Sequence, residues 1–168
     1  MPLFRGYLEH QEPLRVDPRT QTVQVDAETA ARRIGTYLDA AKANGIRTVF
    51  LTLLNYKMAD GKSGAWEAEF ADQFMTAQGR QALAEALQQV VRAAEQEADR
   101  AGVAVVWDLW NEPEGATALS MEDRQAFLET LLVSLGELRH AGGLGVTIGA
   151  QNLTGLSYWL PVWEQPVV

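Results

Sequence analysis

The feature that most constrains this chain is the stretch Val103–Gly115, in which a buried-strand pattern ends abruptly in Asn111-Glu112-Pro113. Apolar residues run almost unbroken up to Trp110, which is typical of a strand in a parallel sheet covered on both faces. Pro113 cannot donate a ladder hydrogen bond, and it biases the preceding residue away from helical conformation. We therefore expect Glu112 to be extended at the carboxyl end of a strand, where α/β proteins build their active sites.

Helix and strand patterns alternate along the chain. Helical patterns cover about Ala27–Ala43, about Ala77–Ala101, a segment opening at a capping box over Ser120–Asp123, and a short piece around residues 153–160. Strand patterns cover Ile46–Leu54, the stretch that begins at Val103, and Leu144–Ala150. Phe4–Glu9 and Val167–Val168 are expected to be pieces of further strands. A polar loop is expected from Asn55 to about Gln73. These strand–helix–strand units predict a single α/β domain over residues 1–168, with helices covering a parallel sheet.

Two α/β architectures fit this order, a (β/α) barrel and an open doubly wound sheet. No Gly-x-Gly-x-x-Gly and no Walker-type loop follows a strand, so nucleotide binding has no support. Polar pairs follow three successive strands, namely Asn55 and Tyr56, Asn111 and Glu112, and Gln151 and Asn152. Side chains on one rim of successive strands indicate a shared cleft, which favours the barrel.

Charge and composition exclude several classes of function. The net charge is −8, with acidic residues spread along the chain, which argues against attraction to nucleic acid or an anionic membrane. Cysteine is absent and histidine occurs only twice, so the sequence predicts no metal site and no cofactor. No apolar run is long enough for a membrane span, and Met1–Arg5 lacks a signal-peptide core. The compartment, secreted or cytoplasmic, stays open.

The strand with the Asn-Glu-Pro turn carries a specific resemblance. Its residues Trp107–Glu114 (WDLWNEPE) resemble the fourth barrel strand of the clan of retaining glycoside hydrolases that includes family 5 cellulases and mannanases. Ala40–Asn55 is similar to the second helix and third strand of such barrels, and Gly145–Ala150 to the fifth strand. The resemblance implies that Glu112 is the general acid/base and that Asn111 binds the sugar hydroxyl beside the reacting carbon. The implied substrate is a β-linked polysaccharide or oligosaccharide.

The resemblance implies only part of a TIM-type barrel. A complete (β/α)₈ barrel needs about 200 to 250 residues, and this chain matches about strands two to six, or four to five strands with outer helices. The nucleophile of the clan is a Glu on the seventh strand, which would lie beyond residue 168. We expect a fragment of a longer gene product, with a degenerate remnant as the alternative. Because retaining hydrolysis needs two carboxyl groups about 5 to 5.5 Å apart, the isolated chain is expected to be inactive or nearly so.

Other residues are candidates for supporting roles. Trp66 and Trp110 can stack on sugar faces or pack in the core, and Asn55 and Gln151 can bind substrate from the same rim. Asp108, four residues before Glu112, is expected to face the interior and support the site through hydrogen bonds.

Two other classes of function stay open. One is a noncatalytic α/β module, derived from such a barrel, that binds carbohydrate or another chain. The other is a self-contained inverting hydrolase that pairs Glu112 with Asp60, Glu114 or Glu164. Cutting a barrel leaves unpaired strand edges, so the chain is also expected to self-associate through them.

Overall fold

Two β-sheets and four helices make up the part of the chain that the structure, a computed structural model, describes: residues 3–7, 14–17, 19–20, 22–54, 65–136, 138 and 145–149. The strands are β1 (Leu3–Tyr7), β2 (Leu14–Asp17), β3 (Thr22–Val25), β4 (Thr48–Thr52), β5 (Ala104–Asn111) and β6 (Gly145–Gly149). The helices are α1 (Ala27–Ala43), α2 (Ala65–Met75), α3 (Ala77–Ala101) and α4 (Met121–Gly136). The predicted α/β class is confirmed.

The larger sheet is parallel, and its four strands are ordered β1-β4-β5-β6, which is their order along the chain. Each new strand adds beside the previous one, and β5 lies between β4 and β6. β2 and β3 form a separate antiparallel hairpin between β1 and α1. The described strands do not close into a barrel, so the partial barrel stays a prediction beyond the observed parallel sheet.

Helices cover one face of the parallel sheet. The indole Nε1 of Trp107 donates to Glu95 of α3 at 2.7 Å, which puts Trp107 on the helix-covered face of β5. Its register partner on β4, Leu51, is also buried. Phe50 and Val106, which are register partners on the opposite face, are only half-buried. The helices themselves form a continuous layer in which α3 contacts α1, α2 and α4.

The two longest helices span the residues expected from the sequence. The side chain of Asp26 accepts the Thr29 N–H at 2.9 Å and caps α1. α3 ends at Gly102, whose φ of 68° is a left-handed conformation that glycine adopts without steric cost. At the start of α4, Ser120 Oγ accepts the Asp123 N–H at 3.0 Å and donates to the Asp123 carboxylate at 2.6 Å, so the predicted helix start with Ser120 as N-cap is confirmed.

Four elements, α2 and the strands β2, β3 and β4, differ from the sequence prediction. The polar loop expected up to Gln73 contains α2, because Phe70 and Phe74 lie one helical turn apart and both are fully buried in the core. The β2–β3 hairpin was not predicted either, since its strands have only four residues each. The observed strand β4 is shorter than the strand predicted over residues 46–54. The segments predicted at 153–160 and 167–168 lie outside the described residues.

A close approach between α2 and α3 yields a test of this packing. A Cβ on Gly79 would lie 2.6 Å from the backbone oxygen of Gln73, which cannot move without shifting α2. We expect Gly79→Ala to lower the free energy of unfolding by about 1–3 kcal/mol, as for other overpacked sites. Urea denaturation of both proteins measures the change.

Gly35→Ala is the matched control. A Cβ on Gly35 would lie 2.6 Å from Oε2 of Glu97, the end of a flexible side chain that can swing aside. The higher helix propensity of Ala, about 0.5–1 kcal/mol, offsets this displacement, so stability should change little. Equal losses in both variants would contradict the rigid contact at Gly79.

Candidate active site

The Asn-Glu pair occupies the carboxyl end of an interior parallel strand. Asn111 is the last residue of β5 and is 8% exposed. The Asn111 N–H donates to the Leu54 carbonyl at 2.8 Å, so β4 and β5 stay joined up to the rim. Glu112 follows directly and is half-buried. The pair therefore lies at the edge of the sheet where α/β enzymes place reacting groups.

Glu112 does not have the extended backbone expected from the following proline. Its φ of 51° and ψ of 54° lie in the left-handed region, and it is the sole non-glycine residue with positive φ in the described chain. The chain bends at once into a 3-10 turn, Pro113–Gly115, and the Gly115 N–H donates to the Glu112 carbonyl at 2.9 Å. A residue before proline prefers the extended region, so the left-handed conformation of Glu112 departs from the preference that Pro113 imposes.

This backbone conformation is costly for a glutamate. The left-handed region costs a residue with a Cβ about 1–2 kcal/mol, so the turn must be held by other contacts. Strained backbone of this kind clusters at active sites and ligand clamps. Its occurrence at Glu112 makes this residue a candidate for a functional role on grounds other than the sequence.

A bulge in β5 precedes the pair. Asp108 and Asn111 pair with Thr147 and Gly149 of β6, so the segment between them is one residue longer on β5. The alternation of side chains is interrupted there, and a bulge commonly re-aims a side chain beside a site. It also explains why both Trp107 and Trp110, three residues apart, contact helices.

Asp108 precedes Asn111 on β5, and its side chain lies on the face of the sheet opposite that of Trp107. It is 3% exposed, and one of its carboxylate oxygens accepts the hydroxyl of Thr52 at 3.0 Å. Backbone register aligns Tyr7, Thr52, Asp108 and Thr147 in one row across the four strands. Asp108 is therefore a buried carboxylate on the face of the sheet opposite Trp107, and its supporting role stays a prediction.

Trp110 packs in the core and does not offer a face to a sugar. Its ring centroid lies 5.2 Å from that of Phe74 in a stacked arrangement and 5.7 Å from that of Phe127 in an edge-on one. The residue is fully buried, and its indole N–H has no acceptor within the described residues. Of the two roles considered for Trp110, the structure supports packing.

Arg124 was missed by the sequence interpretation. It lies in the first turn of α4, is 9% exposed, and donates to three backbone carbonyls that follow Glu112. Burial lowers the pKa of Arg124 from its usual value, while the charge of Glu114 opposes that shift. No sequence signal marks it, because an arginine after a capping box is ordinarily exposed.

The remaining candidates are less defined. Trp66 lies at the start of α2, and its stacking role stays a prediction. Asn55 and Gln151 lie outside the described residues, as do Asp60 and Glu164, proposed partners of Glu112. Glu114, the third such partner, interacts electrostatically with Arg124. Among the described residues, no group of three His, Asp or Glu side chains could hold a metal ion.

Comparison of the chain with models of protein families, with curated proteins and with solved structures found no match. None of the described helices combines the length and apolar character needed to cross a bilayer.

Proposed function

We propose that this chain carries the acid/base part of a retaining β-glycoside hydrolase site, with Glu112 as proton donor and Asn111 as a sugar-binding amide. The observation that carries the proposal is the position and conformation of Glu112. It follows an interior parallel strand and has the one left-handed non-glycine backbone among the described residues. A purely structural turn at this point could use glycine at lower cost.

We also infer that the parallel sheet is an arc of a TIM-type barrel, with β1, β4, β5 and β6 as its second to fifth strands. The order of these strands follows the chain without reversal, whereas a doubly wound sheet reverses its order at a switch point. The helix layer along one face, with α3 contacting α1, α2 and α4, supports the same inference. In a barrel, the half-buried side chains of Phe50 and Val106 would face the interior.

The proposed chemistry assigns two proton transfers to Glu112. It protonates the leaving oxygen as the glycosidic bond breaks, and then deprotonates the water that releases the sugar from the enzyme. The attacking carboxylate is expected from a second Glu, on the seventh strand of such a barrel. Asn111 would donate its amide N–H to the hydroxyl beside the reacting carbon, and Asp108 would support the strand from below.

The test compares the 168-residue chain with the product of the full reading frame that encodes it. Each protein is incubated with β-linked glucose and mannose oligosaccharides, and NMR follows the anomer released first. We expect the full product to hydrolyse one of them with retention of configuration. Hydrolysis with inversion would contradict the retaining mechanism, and binding without hydrolysis by both proteins would favour the noncatalytic module.

Chemical rescue identifies the acid/base more sharply. In Glu112→Ala, azide can attack the glycosyl-enzyme without base catalysis, so added azide should accelerate turnover of aryl glycosides and yield a glycosyl azide. Glu114→Ala is the matched control, because it removes a neighbouring carboxylate that interacts with Arg124. Azide should have no effect on that variant. Rescue of Glu114→Ala instead would transfer the role to Glu114.

A further inference from the structure

The turn that follows Glu112 is held by a single arginine from α4. Nη1 of Arg124 donates to the carbonyl of Pro113 at 3.1 Å and to that of Glu114 at 3.4 Å. Nη2 and Nε donate to the carbonyl of Leu119 at 2.7 and 3.2 Å. One guanidinium therefore joins the two ends of a longer turn, Pro113–Leu119, of which the 3-10 turn Pro113–Gly115 is the first part. Hydrogen bonds from a charged donor are stronger than neutral ones.

The backbone hydrogen bonds within the turn join residues that are close in sequence. The Gly115 N–H closes on the Glu112 carbonyl at 2.9 Å, and the Ala116 N–H on the Pro113 carbonyl at 3.1 Å. Each of these bonds joins residues only three positions apart, so they shape the turn locally. The hydrogen bonds of Arg124, by contrast, tie the turn to the helix layer.

We propose that Arg124 is a positioning residue whose guanidinium fixes the Pro113–Leu119 turn and thereby holds Glu112 in its left-handed conformation. Without that clamp, Glu112 returns to the extended region that residues before proline prefer, and its carboxyl group leaves the position from which it delivers a proton. The catalytic consequence rests on the proposed function. The conformational consequence does not.

Lysine cannot replace this arginine. The guanidinium is a planar fork with five donors in fixed directions, and it spans carbonyls on both sides of the turn. An ammonium group keeps the charge but is a compact donor on a flexible stem, so it cannot hold the same carbonyls at once. Arg124→Lys therefore keeps the positive charge but removes the simultaneous hydrogen bonds to carbonyls on both sides of the turn.

Arg80 provides a matched control. It occupies the same position in α3 as Arg124 in α4, four residues after a capping Thr76 or Ser120. Its Nη1 donates to the backbone carbonyl of Phe74 at 2.8 Å and lies 3.4 Å from a carboxylate oxygen of Asp123, and its side chain is 17% exposed. Both partners lie outside the Pro113–Leu119 turn, so Arg80→Met removes a comparable arginine that contacts the first turn of α4 at Asp123.

The first test is conformational and uses the 168-residue chain. A residue with positive φ shows a strong intraresidue NOE between its amide proton and Hα. We expect Glu112 to show it in the wild type and in Arg80→Met, and to lose it in Arg124→Lys and Arg124→Met. Retention of this signal in Arg124→Lys, or its loss in Arg80→Met as well, overturns the proposal. Should Arg124→Met not fold, Arg124→Lys decides.

The second test is kinetic and uses the full reading-frame product. A displaced reacting group can cost about 100-fold in rate, so Arg124→Lys should lower kcat by about 10- to 100-fold while KM changes less than about threefold. An unchanged kcat together with a lost Glu112 signal overturns the catalytic role of the clamp. Absence of hydrolysis by the wild type refutes the proposed function, and the NMR result then decides the positioning role alone.

Discussion

Replacing Glu112 with Gln lowers the hydrolysis of natural β-linked oligosaccharides by about 10²- to 10⁴-fold in the protein that carries the complete site. Gln keeps the shape of the side chain but cannot deliver a proton to the leaving oxygen. The loss depends on the substrate, because a leaving group of low pKa departs without protonation. Aryl glycosides with such groups should therefore lose much less in the first step, and glycosyl-enzyme should accumulate.

A series of aryl glycosides of graded leaving-group pKa measures this dependence. The matched control is Glu122→Gln, which neutralises an exposed carboxylate in the first turn of α4 and should leave kcat unchanged. A steeper dependence of kcat/KM on leaving-group pKa in Glu112→Gln identifies lost acid catalysis. The same loss for every leaving group would instead indicate misfolding, and full activity would exclude Glu112 as the acid.

Replacing Trp110 with Ala lowers the free energy of unfolding by about 3–5 kcal/mol, the usual cost of removing a buried large aromatic residue. The indole is fully buried between Phe74 of α2 and Phe127 of α4. Removing it opens a cavity where these two helices meet the end of β5. Since the total free energy of unfolding of a small protein is only about 5–15 kcal/mol, this loss is a large share of it.

Two controls separate packing from binding at this position. Trp110→Phe keeps an aromatic ring and removes an indole N–H without an acceptor among the described residues, so it should cost clearly less than Trp110→Ala. Val133→Ala changes a residue that is 67% exposed and should alter stability by less than about 0.5 kcal/mol. A Trp110→Ala variant of normal stability that no longer binds oligosaccharide would place the indole in the cleft.

Local signals in the sequence predicted much of the fold. The limits of α1 and α3 follow from Asp26, from Gly102 and from apolar residues at helical spacing, all of which act within a turn or two. The strand before Asn111 was predicted because its apolar run ends at a proline. α2 was missed because the polar residues before it extended the loop pattern up to Gln73, although Phe70 and Phe74 of this helix are fully buried.

The sequence predicted where Asn111 and Glu112 lie in the fold but not the backbone conformation of Glu112. Asn111 ends β5 and Glu112 follows it, as expected. The left-handed backbone of Glu112, however, depends on a turn whose clamp, Arg124, lies twelve residues further along the chain. The packing of Trp110 depends on the bulge in β5, which shifts its face relative to strict alternation. Neither long-range contact has a signature in the local sequence.

The chain-order pairing of the parallel sheet has a consequence for synthesis on the ribosome. Leu3 pairs with Thr48, Thr48 with Ala104 and Val106 with Gly145, so each emerging strand meets a neighbour that has already left the exit tunnel. No strand of this sheet has to wait for one made later in order to insert between two others. Domains fold during translation from the N-terminus, and this order lets the sheet grow at one edge while the helix layer closes over it strand by strand.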